Sequence, residues 1–170
     1  MALREIYLAG GCFWGVAEYF SRIAGVLETE CGYANGSLAD PSYEDVCTDE
    51  TGHAETVRVA YDPDEVTLAT LLAQYFKVID PTVANRQGND IGTQYRTGVY
   101  YADEADLPVV EQAFADARAA NASPVVTELA PLASFWPAED YHQDDLKKNP
   151  GGYCHVDFSS LADVRTKERR

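Results

Sequence analysis

Apolar residues switch between a two-residue and a 3.6-residue period several times along this 170-residue chain. That switching confines the chain to a fold in which a sheet is layered with helices. Residues 5–9 alternate, with Ile6 and Leu8 on one face, and read as a strand. Gly10-Gly11 breaks it, residues 13–22 suit a helix, and Gly25 suits that helix's C-terminal end. Residues 26–33 read as a second strand and 54–61 as a third, with Val57, Val59 and Tyr61 on one face. Leu68, Leu71, Leu72, Tyr75, Phe76 and Ile79 recur at helical spacing. Further strands are expected at 98–101 and 125–129, and further helices at 104–120 and 139–148. Residues 34–52 and 80–93, rich in Asn, Asp, Gly and Pro, read as long loops. Loops of that length are usually functional or disordered. One domain over 1–170 is expected, with a core over about 5–155 and a polar, partly mobile tail over 156–170.

A net charge of −15 repels phosphate backbones, so nucleic acid is an unfavourable partner. No apolar run has the length of a membrane span, so no membrane association is expected. Met1 to Glu5 lacks a basic segment followed by an apolar one, so no signal peptide is expected and the cytoplasm is the default location. The four cysteines, Cys12, Cys31, Cys47 and Cys154, are too sparse for a disulfide scaffold. They form no C-x-x-C pair, which leaves buried apolar cysteines and catalytic ones.

Four segments carry chemical signals. In Gly10-Gly11-Cys12-Phe13-Trp14-Gly15 a cysteine sits where a strand ends and a helix begins. Unpaired N–H groups and the helix dipole stabilise a thiolate there, and the thiolate is the reactive form. Phe13 and Trp14 can wall an apolar pocket for a methyl or thioether group, although a buried cysteine followed by two core aromatics would read the same way. Glu55, in Gly52-His53-Ala54-Glu55-Thr56, can serve as a general acid if apolar neighbours raise its pKa; an exposed strand-end glutamate is the commoner alternative. The run from Gly88 to Arg96 packs Asn89, Asp90, Gln94 and Tyr95 close together, as a site or as an ordinary turn. In Gly151-Gly152-Tyr153-Cys154 two glycines precede a thiol that either meets the first cysteine or lies idle near the surface.

Taken jointly, these segments resemble the A-type peptide-methionine sulfoxide reductases, whose hallmark Gly-Cys-Phe-Trp-Gly stands intact at Gly11 to Gly15. The resemblance extends to Gly32-Tyr33-Ala34-Asn35-Gly36, Pro41-Ser42-Tyr43-Glu44-Asp45-Val46-Cys47, Thr51-Gly52-His53-Ala54-Glu55 and Asp80-Pro81-Thr82. It continues through Gln87 to Arg96, Ala138-Glu139-Asp140-Tyr141-His142-Gln143 and Lys148 to Cys154, so it covers roughly residues 6–154.

The resemblance implies an α/β two-layer sandwich related to the ferredoxin-like arrangement, with a mixed, largely antiparallel sheet, helices and long coil segments. It implies reduction of the S epimer of methionine sulfoxide, free or in proteins, as a repair activity. Cys12 would attack the sulfoxide sulfur, and Phe13 and Trp14 would hold the substrate's methyl group. Glu55 would protonate the sulfoxide oxygen, with Tyr43 and Tyr95 pointing at it. Asp90 would help anchor the substrate, and Tyr153 would line the pocket rim beside Cys154. Cys154 would condense with the Cys12 sulfenic acid, and thioredoxin would reduce the resulting disulfide. No metal or organic cofactor is implied, and a monomer is expected.

Two departures from the pattern stand out: Cys154 is the only cysteine after Cys47, which implies a single relay, and Ile79 stands where many relatives have His. Cys31 is expected to be buried in its strand. Three rivals differ in what they need. A thiol peroxidase would use Cys12 and Cys154 but needs no aromatic wall, acid or paired phenols. A metal-binding module on Cys12, His53, His142 and Cys154 lacks ligand spacing. A non-catalytic peptide-binding domain has no need of Cys12, Glu55 and Cys154 together.

Overall fold

The computed structural model describes residues 3–37, 41–47, 51–87, 90–139 and 158–167. Strand β1 (Arg4–Gly10) leads into helix α1 (Phe13–Ser21), then β2 (Val26–Ala34), a short helix α2 (Tyr43–Cys47) and β3 (Ala54–Tyr61). Helix α3 (Leu68–Val78) follows, then the two-residue strands β4 (Arg86–Gln87) and β5 (Asp90–Ile91), and β6 (Thr97–Tyr101). Helix α4 (Leu107–Ala120), β7 (Glu128–Pro131), β8 (Phe135–Pro137) and 3-10 helices at Thr93–Tyr95, Glu104–Asp106 and Phe158–Asp163 complete the described elements.

The main sheet runs in the order β7-β6-β1-β3-β2-β8. Its four inner strands are antiparallel to one another, β1 lying between β6 and β3 and β3 between β1 and β2. With α1 joining β1 to β2 and α3 lying between β3 and β6, this is the ferredoxin-like split βαβ arrangement. Strand β7 adds to one edge in parallel and β8 to the other antiparallel, which makes the sheet mixed but largely antiparallel.

The two faces of β1 bury different sets. Ile6 and Leu8, both 0% exposed, join the core under α1 and α3, while Tyr7 and Ala9 join a smaller cluster with Ala34, Ala54 and Tyr100. The ring of Phe135 meets that of Tyr7 edge-on, with centroids 5.1 Å apart. Apolar cover on both faces explains why β3 is buried almost throughout rather than alternating.

Several boundaries differ from the sequence expectations. The long segment 34–52 contains the helix α2, and 80–93 contains the β4–β5 hairpin. The last expected strand moves from 125–129 to Glu128–Pro131, where parallel pairing with β6 fixes its register. Strand β8 was unexpected because three residues carry too little periodicity. The helix expected at 139–148 lies outside the described residues except for Glu139.

Residues 158–167, the described part of the segment expected as a partly mobile tail, pack onto the body of the protein. Leu161 is buried, the Tyr19 and Ser160 hydroxyls lie 2.8 Å apart, and Gln74 Nε2 donates to both Tyr19 and Ser160. Arg22 stacks over Phe158 at 4.3 Å, and Ile23 bridges to Thr166.

Candidate active site

The C-terminal end of β1 is fastened before the site begins. Tyr75, fully buried on α3, donates its hydroxyl to Ala9 O at 2.6 Å and accepts from Gly98 N at 3.0 Å. It therefore knits β1 to β6 where the ladder ends. A Cβ on Gly10 would stand 2.8 Å from Ile79 Cγ2, so only glycine admits the end of α3 this close. Gly11 then takes φ 84°, a left-handed turn that costs a side-chain-bearing residue.

That turn delivers Cys12 to the N-cap of α1, with φ −58° and ψ 122°. The N-cap is where helix N–H groups lack helical partners and where the dipole favours an anion. Cys12 is 8% exposed, so its side chain is largely buried. The first turn of α1 is braced from beneath: Cys31, buried on β2, directs its Sγ at Phe13 O at 3.8 Å.

Glu55 lies on β3, in register with Tyr33 of β2, and is 1% exposed. Its Oε1 accepts from Phe13 N at 3.4 Å, so the carboxyl group stands at the same helix end as Cys12. Its Oε2 is buried with no hydrogen-bond partner. Burial, and secondarily the charge of Asp90, push its pKa from 4.5 up to about 8, against the opposing Phe13 N–H. At neutral pH the group is a carboxylic acid, with Oε1 as acceptor and Oε2 as the oxygen placed to carry the proton. A neutral Glu55 also leaves no negative charge of its own at the helix end that carries Cys12.

Tyr43 opens α2 and Tyr95 ends the 3-10 turn Thr93–Tyr95; their hydroxyls share a hydrogen bond. Burial raises the Tyr95 phenol to about 12, followed by the charge of Glu55, with Asp90 and Cys12 adding to it. Tyr95 thus stays protonated and able to donate, and its electrostatic neighbours are the groups expected to do the chemistry. Phe13 is buried, its ring 5.8 Å from that of Tyr33, and Trp14 is half-buried against the same core. Asp90 occupies the β4–β5 hairpin beside the Thr93–Tyr95 turn.

The structure therefore gathers Cys12, Glu55, Tyr43, Tyr95, Asp90, Phe13 and Trp14 at one end of the sheet. Tyr153 and Cys154 lie outside the described residues. Cys31 is buried in β2, as expected. His53 is buried at 1% exposure and accepts from Gly36 N through Nδ1 at 3.0 Å, so it ties the turn before β3 to the loop after β2. Gly36 has to be glycine, because a Cβ would approach the His53 ring to 2.3 Å.

Two supporting residues had no role in the sequence reading. Arg96 donates to Gly52 O at 2.7 Å and Thr93 O at 2.9 Å and pairs with Glu128, which joins the turn carrying Tyr95 to the approach to Glu55. Glu139 accepts from Tyr33 and from the Tyr43 backbone. Both lie in the quoted motifs, but only tertiary contacts reveal their partners.

The peptide methionine sulfoxide reductase family model matches residues 4–170. The peptide methionine sulfoxide reductase MsrA of Clostridium botulinum (strain Okra / Type B1) is 54% identical over 154 residues, 91% of this chain and 98% of that one. Reduced Mxr1 of Saccharomyces cerevisiae superposes with a TM-score of 0.87 and 34% identity, covering 96% of this chain and 92% of that one. Methionine sulfoxide reductase A of Corynebacterium diphtheriae gives 0.81 and 39%, covering 89% and 77%. The structure of Mxr1 in complex with Trx2 shares the fold, at a TM-score of 0.61 and 20% identity over 99% and 91%. With the match extending through the helix end, strand and turn that hold Cys12, Glu55 and Tyr95, the chain belongs to the peptide methionine sulfoxide reductases, a family of oxidoreductases.

Proposed function

We propose that this site reduces the S epimer of methionine sulfoxide, with Cys12 as nucleophile and Glu55 as acid. The observation that carries the reading is the buried Glu55 carboxyl group, neutral at pH 7, whose Oε2 has no partner beside the N-cap cysteine. Sulfoxide oxygen leaves only once it gains a proton. Glu55 supplies that proton, and the Tyr43–Tyr95 pair adds hydrogen bonds to the same oxygen. Phe13 and Trp14 receive the methyl group, and Asp90 helps hold the substrate.

The Cys12 thiolate attacks the sulfoxide sulfur and forms a sulfur–sulfur bond while the oxygen takes the proton from Glu55. That hydroxyl then passes to the Cys12 sulfur as the substrate's sulfur–oxygen bond and the new sulfur–sulfur bond break, which releases methionine and leaves Cys12 as a sulfenic acid. The Cys154 thiol then forms a disulfide with Cys12 and releases water. An external dithiol, thioredoxin, returns both to thiols. Support for that reductant comes from the family resemblance and from the Trx2 complex of Mxr1. The rest of the reading is a single-domain monomer working in the cytoplasm on free or protein-bound substrate, with the pocket rim at Tyr153. No described helix is long and apolar enough to cross a membrane, which agrees with that location.

A thioredoxin-coupled assay on separate S and R epimers of a methionine sulfoxide peptide tests the reading. Turnover of the S epimer alone supports it. Turnover of the R epimer, or of hydrogen peroxide in preference to either, overturns it.

A further inference from the structure

Glu139 follows β8 at the edge of the sheet, where Ala138 N donates to Cys31 O and so extends the pairing of β8 with β2. The Glu139 carboxyl group is half-buried and grips two segments of the site. Its Oε1 accepts from the Tyr33 hydroxyl at 3.0 Å, and its Oε2 accepts from the Tyr43 backbone N–H at 3.2 Å. Each segment carries a reacting surface. Tyr33 stands opposite Glu55 in the β2–β3 register and packs its ring against Phe13. Tyr43 begins a helix of only five residues, bonded through its hydroxyl to Tyr95.

A helix that short does not hold its own place, because its first N–H groups have no helical partners. Glu139 satisfies one of them and anchors it to β2. We propose that Glu139 is a positioning residue for the reductase reaction, holding the Tyr43 hydroxyl in line with Glu55 and Cys12. This rests on the function proposed above, since it acts through Tyr43. It fits the geometry because one carboxyl group spans the methyl wall, through Tyr33, and the oxygen-binding phenols, through Tyr43. A displacement of about 1 Å in such a group slows a reaction by up to roughly a hundredfold.

The test is a double-mutant cycle on the full chain with S-methionine sulfoxide in single turnover. Gln at 139 keeps the size but offers only one acceptor, so it keeps both bonds only by reversing the one to the Tyr33 hydroxyl, which weakens the grip on both segments. Glu139→Gln is expected to lower the rate constant at saturating substrate by roughly ten- to a hundredfold, with a much smaller change in apparent affinity. In the Tyr43→Phe background the same substitution is expected to cost less than threefold, because the group it positions is already gone.

Equal fold losses in the two backgrounds, or no loss in the first, overturn the proposal. Should Glu139→Gln not fold, Tyr33→Phe releases one arm alone and the same cycle with Tyr43→Phe carries the decision. NMR of isotope-labelled tyrosine separates this proposal from the reductase reading. The Tyr33 and Tyr43 signals must shift in Glu139→Gln whether or not the protein turns over sulfoxide, and unshifted signals overturn the clamp. A parent protein inert toward both epimers overturns the reductase reading, and the role of Glu139 in it.

Discussion

Replacing Glu55 by Gln removes an ionisable proton from a site that burial has tuned to hold one. The folded protein keeps that proton until about pH 8, whereas the reference value is 4.5. As pH rises past the lower value the unfolded chain releases its proton and the folded chain does not. The unfolded state is therefore favoured progressively between the two, and the loss is complete above pH 8. At about 1.4 kcal/mol per factor of ten, the upper figure is about 5 kcal/mol. Gln has nothing to release, so Glu55→Gln should gain on the parent over that window and run parallel to it above. For a chain of this size the gain amounts to roughly 10 °C in melting temperature between about pH 5 and pH 9. The same substitution should slow single-turnover reduction by roughly 10²-fold, since the amide keeps a donor but cannot deliver a proton. Thermal melts of both proteins across pH, beside rapid-quench measurement of methionine, read the two effects. Parallel stability curves refute the elevated pKa, and an undiminished rate refutes the role of Glu55 as acid.

Cys12→Ser should abolish methionine formation with the fold intact by circular dichroism; substantial turnover would remove Cys12 as nucleophile. Cys154→Ser should form one equivalent of methionine and then stop with thioredoxin, leaving Cys12 as a sulfenic acid visible by intact mass and a selective probe. Normal cycling of that variant would assign the relay to another thiol or to the reductant itself. Tyr75→Phe strands Ala9 O and Gly98 N at the end of β1 and should cost roughly 1–3 kcal/mol in urea unfolding; an unchanged midpoint would show that the hydroxyl is not what secures that end.

The inner sheet was legible because each of its strands carries its own periodicity. Residues 54–61 coincide with β3, and 5–9 and 26–33 each fall within a residue or so of β1 and β2. The edges were not, since β7 and β8 exist through pairing: β8 lies on Gly32, where Phe135 packs so tightly that a Cβ would sit 2.4 Å from its ring. Local pattern carries no trace of such a contact. The site divides in the same way. Cys12 at a strand-to-helix junction is readable from Gly10-Gly11 and the apolar run that follows. The elevated pKa of Glu55 depends on burial beneath α1, which residue spacing does not report. The roles of Arg96 and Glu139 depend on partners far away in sequence.

The docking of the Phe158–Asp163 helix onto α1 also bears on how the chain comes off the ribosome. Tyr19 and Ser160, joined by a hydrogen bond, are 141 residues apart. The helix that presents Cys12 is among the first elements synthesised, yet its outer face, with Tyr19, Arg22 and Ile23, is closed by residues made much later. For most of translation that face is open to solvent, and Gln74 on α3 waits for the same closure. Contacts so distant in sequence form slowly, because the loop-closure entropy is spent before they return anything. A nascent chain of this design therefore closes that face of α1 last, and chains released before residue 158 would expose an apolar seam to chaperones and proteases.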